Sequence, residues 1–141
     1  MRIAFGSDER TPLTDALVSE LEARGHEVVA VGPPAGEPGE WAEVGRHVAE
    51  LVVSGDADNA VLFCWTGTGA SIAANKVPGA RAALCTDAPT AAGARRWNDA
   101  NVLVMGLRLT SLEVAREMLD AWFATDADPS EASNVARLET T

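Results

Sequence analysis

Apolar residues in this chain come in short runs separated by segments with helical spacing. Ile3 to Gly6 is an apolar run closed by glycine, and Leu13, Leu17 and Leu21 then recur four residues apart, one face of a helix that Gly25 stops. Glu27 to Val31 (EVVAV) reads as a second buried strand. The PPAGEPGE stretch reads as a loop rather than a domain linker, because the helix after it is needed to cover a sheet. That helix runs from Trp41 to Val53, with Val44, Val48, Leu51 and Val52 on its apolar face and SGDAD as its stop. A third strand, Ala60 to Cys64, leads through the glycine-rich turn WTGTGAS into an alanine-rich helix ending near Pro78-Gly79. Ala82 to Cys85 gives a fourth strand, Thr90 to Trp97 a short helix, Val102 to Met105 a fifth strand, and Ser111 to Ala124 a long final helix.

Short β-branched strands alternating with helices predict an α/β chain: a single-domain, three-layer α/β/α Rossmann-like fold around a five-stranded parallel sheet. The domain spans residues 1–125. Residues 126–141 are polar, carry little apolar material, and are expected to pack on something else or stay mobile.

At 141 residues and 47% hydrophobic, the chain can bury one sizeable core but does not divide comfortably into two. No run approaches the ~20 apolar residues that cross a bilayer, and MRIAFGSDER reaches glycine and charge too soon for a secretory signal, so a cytoplasmic protein without membrane association is expected. A net charge of −10 argues against nucleic acid as a partner. Any anionic ligand must then be drawn in by local arginines or helix N-termini.

In open α/β sheets ligands bind beyond the carboxyl ends of the strands. Those positions here carry Ser7-Asp8-Glu9, Cys64-Trp65-Thr66-Gly67-Thr68-Gly69, Cys85-Thr86-Asp87 and Gly106-Leu107-Arg108. The third-strand turn can present backbone N–H groups and a helix N-terminus to a phosphate or an enediolate oxygen; it can equally be a tight strand-to-helix connection. Cys64 precedes that turn, where the helix field favours thiolate, although a cysteine ending a buried strand also serves as a small hydrophobe. Cys85 has the weaker case, and the spacing of the two cysteines matches neither a metal pair nor a redox motif. His26 and His47 lie away from strand ends, so no metal site is expected. A nucleotide-binding module fits poorly, because the glycine-rich turn follows the third strand rather than the first.

The succession of GSD near the start, CWTGTGASIAANKVPGARAALC in the middle and NDANVLVMGLR afterwards resembles the ribose-5-phosphate isomerase B family, which includes galactose-6-phosphate isomerase subunits. The resemblance implies an aldose–ketose isomerase working through an enediolate, with no cofactor or metal. It also implies a homodimer or tetramer whose active sites lie at the subunit interface. By residue matching, Cys64 is the base, Thr66 assists, and amides around Gly67, Thr68, Gly69 and Ser71 stabilise the oxyanion. Asp8 and Asn98 hold substrate hydroxyls, while Arg108 and Arg137, the latter on a C-terminal tail packed on the partner subunit, bind phosphate.

Several positions depart from the family pattern. Glu9 stands where a histidine is usual, Trp97 replaces the histidine that opens the sugar ring, and Trp65 replaces a glycine. Glu40-Trp41-Ala42 corresponds to an Asp-Tyr-Pro element, and Ser133 to an arginine. An indole cannot exchange a proton at neutral pH. These departures disfavour ordinary ribose 5-phosphate and leave a ribose 5-phosphate-like substrate or a shorter open-chain sugar phosphate that needs no ring opening, with Trp97 lining the site and Glu9 as replacement acid. The competing reading is a catalytically impaired sugar-phosphate-binding or partner subunit, favoured if Glu9 faces solvent and Trp97 fills the cavity.

Overall fold

A computed structural model describes residues 1–139. Five strands, β1 (Arg2–Ser7), β2 (Glu27–Val31), β3 (Asn59–Cys64), β4 (Ala82–Leu84) and β5 (Val102–Gly106), form one parallel sheet in the order β2-β1-β3-β5-β4. The helices are α1 (Pro12–Ala23), α2 (Trp41–Ser54), α3 (Thr68–Asn75), α4 (Ala88–Asn98), α5 (Leu112–Ala124) and α6 (Ala132–Leu138). This is the three-layer Rossmann-like architecture that the sequence predicts.

The alternation of side chains along each strand divides the interior in two. Ile3, Phe5, Val61, Phe63, Leu103 and Met105 pack with Leu17 and Leu21 of α1 and with Met118, Leu119 and Trp122 of α5. Ala4, Ala60, Leu62, Cys64, Val102 and Val104 belong to the other layer, with Val44, Val48 and Val52 of α2 and Ala70 and Ala74 of α3. Burying each leucine or valine side chain contributes about 1.5–3 kcal/mol, which is why parallel strands covered on both faces read as unbroken apolar runs. Trp122, almost wholly buried, keeps its indole N–H satisfied by donating to Asn59 Oδ1 at 2.9 Å.

Local chemistry sets the helix ends. Thr11 and Thr14 cap α1 reciprocally, each accepting from the other's amide, with Pro12 in the first turn. Asp87 accepts from the Thr90 amide at 2.8 Å, so α4 starts at Ala88, two residues before the sequence expectation; Pro89 is tolerated in a first turn. β4 ends at Leu84, one residue short of the expected Cys85.

The tail is more regular than its polar composition suggests. A 3-10 turn (Pro129–Glu131), capped by Asp128, leads into α6, none of whose residues is buried. Its anchorage is polar: the Asp128 amide donates to the Arg96 carbonyl at 2.8 Å, and Arg81 meets Glu139 at 2.8 Å. No helix among the described residues is long and apolar enough to cross a membrane.

The chain leaves β1 outward to β2, then returns to place β3 on β1's other side. Connections beyond β1 and β3 therefore diverge, opening a crevice at their carboxyl ends.

Candidate active site

Cys64 ends β3 on the α2/α3 side of the sheet, in register with Gly106 of β5. Its carbonyl accepts from the Leu107 amide and that of Trp65 from the Arg108 amide, both at 2.9 Å, tying the β3 turn to the turn after β5. Gly67 then adopts φ +83°, and a Cβ there would lie 2.5 Å from Leu84 Cδ1 and 3.1 Å from the Met105 carbonyl carbon. Only glycine meets both the left-handed backbone and this close approach.

The reversal at Gly67 starts α3, whose first turn has no side-chain cap. Its leading amides and the positive end of its dipole are left facing the crevice. The Ser71 amide is not among them, because it donates to the Gly67 carbonyl at 3.1 Å. Any oxyanion must therefore be met by amides earlier in the turn, a narrower set than sequence matching gives. The hydroxyls of Thr66 and Thr68 are bonded to each other at 2.9 Å.

Asp8, Trp41, Cys64, Trp65, Thr66, Thr68 and Gly69 line a single cavity of about 270 Å³. The Oδ1 of Asp8 is buried and has no hydrogen-bond partner. Burial pushes its carboxyl above the usual carboxylate value; its own amide opposes the shift and the Glu9 charge adds to it. An unpaired buried carboxylate oxygen is costly, and a ligand hydroxyl donating to it would relieve that cost. Trp41, the first residue of α2, closes one wall with its ring against Gly69, where a Cβ would come within 2.8 Å. The Glu40 amide donates to Glu43 at 2.9 Å and fixes the loop–helix junction that aims the ring.

Other residues singled out in the sequence lie elsewhere. Glu9 is exposed and does not line the cavity; its backbone closes a small turn with the Ser7 hydroxyl. Trp97, 54% exposed, lies over Gly93 and lines a separate groove of about 630 Å³ between β4 and α4, together with Asn98. Within one chain, then, Trp97 neither fills nor borders the Cys64 cavity. Arg108 is exposed beside the Trp65 rim, whereas Arg137 sits on α6 and donates to Asn134 Oδ1 at 3.1 Å. At Cys85, burial and then the Asp87 charge push the thiol up to about 12. Among the described residues no group of His, Cys, Asp and Glu is arranged to hold a metal ion.

Sequence reasoning missed Trp41 as a cavity wall. Its signal was available in its place at the start of a helix directly after the proline- and glycine-rich loop, opposite the glycine-rich turn.

A strand-end cysteine, a glycine-built turn and a buried carboxylate thus share the crevice where parallel α/β sheets take their ligands. The Ribose/Galactose Isomerase family model matches residues 3–140, and the chain belongs to that family. It is 40% identical over 122 residues to ribose-5-phosphate isomerase B of Escherichia coli, covering 86% of this chain and 82% of that protein. It is 37% identical over 138 residues to D-erythrulose-4-phosphate isomerase 2 of Mycolicibacterium smegmatis, covering 94% and 90%. Ribose-5-phosphate isomerase B of Clostridium thermocellum superposes with a TM-score of 0.92 at 38% identity, over 99% of this chain and 95% of that one. This protein is an isomerase of the ribose-5-phosphate isomerase B type.

Proposed function

We propose that the chain interconverts an aldose phosphate and a ketose phosphate through an enediolate, with Cys64 as base. The observation that carries this reading is the cavity that Cys64 and Asp8 line together, Asp8 Oδ1 being a buried acceptor without a partner. The Cys64 thiolate takes the proton from the carbon beside the carbonyl, and the electron pair passes to the carbonyl oxygen. Amides early in the α3 turn meet that developing charge, with Thr66 assisting. The cysteine then returns the proton to the neighbouring carbon while a hydroxyl proton transfers between the two oxygens. Asp8 holds a substrate hydroxyl in place.

A second copy of the chain completes the site. Trp97, Asn98 and Arg137 stand apart from the Cys64 cavity within one chain, and Ile72, Leu84 and Trp97 are large apolar side chains left exposed on α3, β4 and α4. Pairing two copies buries such residues and brings α4 and the C-terminal tail of one to the cavity of the other, where Asn98 meets hydroxyls and Arg108 and Arg137 the phosphate.

The substrate is a four-carbon sugar phosphate. With its terminal oxygen phosphorylated, such a sugar has no hydroxyl placed to close a furanose ring, so Trp97, which offers only an N–H donor, costs the reaction nothing. Two relatives, at 37% and 35% identity, are erythrulose-4-phosphate isomerases, so this family accommodates such a substrate. One feature favours a sugar-phosphate-binding or partner subunit instead: exposed Glu9 supplies no acid to the cavity. The test is aldose–ketose conversion across four-, five- and six-carbon sugars and their phosphates, comparing wild type with Cys64→Ala. Turnover of a four-carbon phosphate that the substitution abolishes supports the proposal. No turnover on any sugar transfers it to the binding reading.

A further inference from the structure

Arg81 lies on the loop between α3 and β4, with its side chain only 20% exposed. Its Nε donates to the Asp99 carbonyl at 2.7 Å and Nη2 to Asp99 Oδ2 at 3.4 Å. Nη1 donates to Glu139 Oε1 at 2.8 Å and to the Gly79 carbonyl at 3.3 Å. The Arg81 amide donates to Asn101 Oδ1 at 2.7 Å, and Asn101 Nδ2 donates back to the Gly79 carbonyl at 3.0 Å. One guanidinium thus ties three segments together: its own loop, the C-cap of α4 and the end of α6.

Each tied point stands beside a residue that the proposed function uses. Asp99 directly follows Trp97 and Asn98 and is the sole described non-glycine residue with positive φ, at 46°. An L side chain keeps that conformation only when its surroundings hold it. Here Arg95 Nη1 reaches Asp99 Oδ1 at 3.2 Å while Arg81 takes the other carboxylate oxygen and the carbonyl. Glu139 caps α6 two residues beyond Arg137. Arg81 itself lines none of the Cys64 cavity. Lysine's single ammonium cannot span these acceptors as the planar fork does.

We propose that Arg81 is a positioning residue that fixes Asn98 and Arg137 relative to each other, so that α4 and α6 present hydroxyl and phosphate contacts as one unit. This rests on the reading above, in which both residues meet the substrate. Cutting one arm loosens phosphate recognition without altering the chemistry at Cys64.

The experiment measures iodoacetamide alkylation of Cys64 in the full chain, with protection by D-erythrulose 4-phosphate and by unphosphorylated erythrulose. Glu139→Gln strips the charge from the α6 arm at an exposed position, leaving at most a neutral hydrogen bond, and is expected to weaken protection by the phosphorylated sugar about threefold, the size of one half-exposed ion pair. Arg81→Met is expected to weaken it about tenfold or more, since it cuts both arms, and Arg81→Lys to restore only part. Protection by erythrulose should stay at its wild-type value in Glu139→Gln, which leaves the Asp99 arm intact, and fall only in Arg81→Met, while the rate without ligand stays unchanged in both, which a merely structural loss would not allow. Arg137→Ala separates the failures. If it weakens phosphate-dependent protection while Glu139→Gln and Arg81→Met do not, the positioning role is overturned. If Arg137→Ala has no effect, the underlying assignment of α6 to the substrate falls, and this inference with it.

Discussion

Adding one methyl group at Gly67 probes how tightly the turn into α3 is built. The residue sits at φ +83°, and the new Cβ would lie 2.5 Å from Leu84 Cδ1, 3.1 Å from the Met105 carbonyl carbon and 3.2 Å from the Gly106 nitrogen. Leu84 can turn away, but two of the three neighbours are backbone. Left-handed strain costs an alanine about 1–2 kcal/mol, and overpacking against backbone about 1–3 kcal/mol more. The stiffer unfolded chain offsets about 0.4–1 kcal/mol, leaving Gly67→Ala destabilised by about 2–4 kcal/mol. Gly25 supplies the control, because it has φ +90° with nothing within 4 Å of the added Cβ. Gly25→Ala therefore carries strain alone, about 1 kcal/mol. Urea unfolding of both variants reads the difference as a midpoint shift at unchanged slope, and the melting temperature should fall by about 5–15 °C for Gly67→Ala. Turnover should collapse in Gly67→Ala and persist in Gly25→Ala. Equal destabilisation of the two would refute the overlap, and wild-type turnover in Gly67→Ala would refute the placing of this turn in the site.

Two further outcomes test the cavity. Asp8 has a raised carboxyl value in the folded chain, so its contribution to stability is present below the ordinary value of 3.8 and lost as pH rises through the raised one. Asp8→Asn should accordingly melt above wild type near pH 7, with the gap closing towards about pH 3, while turnover drops; a lower melting temperature near pH 7 would show that the buried oxygen is not a burden. Because the Cys85 thiol is pushed up to about 12, iodoacetamide near pH 8 should label one cysteine per chain. Mass spectrometry should find that label lost in Cys64→Ala and kept in Cys85→Ala, and the reverse pattern would reverse the roles given to the two cysteines.

The fold was legible because parallel strands covered on both faces leave unbroken apolar runs: all five residues of β5 are buried and the strand opens at Val102 as its pattern predicts, whereas β2, expected as a buried strand, lies at the sheet edge with only Val31 buried. The start of α4 was misjudged since helical spacing alone does not register Asp87 as a cap with Pro89 behind it. α6 was illegible for a different reason. It buries nothing, and its anchors, Arg81 to Glu139 and Asp128 to Arg96, join residues far apart in sequence. Within the site, the strand-end rule brought Asp8, Cys64, Thr66, Thr68 and Gly69 together correctly, because sheet topology fixes where strand ends meet. Glu9 adjoins Asp8 in sequence yet does not line the cavity, because the chain bends after β1 and the Ser7 hydroxyl holds the Glu9 backbone in a turn that leaves its side chain exposed. Trp41 was marked only by its place at the start of α2 after the proline- and glycine-rich loop, and the contact of its ring with Gly69 joins residues far apart in sequence.

The most direct test of Cys64 as the base is isomerisation of D-erythrulose 4-phosphate in D2O, followed by NMR for wild type and Cys64→Ala. Proton transfer through an enediolate, with the Cys64 thiol proton exchanging with solvent before its return, predicts deuterium on the carbon beside the carbonyl with wild type, and loss of both incorporation and turnover in the variant. Turnover that persists in Cys64→Ala, with no deuterium entering the product, would contradict the account.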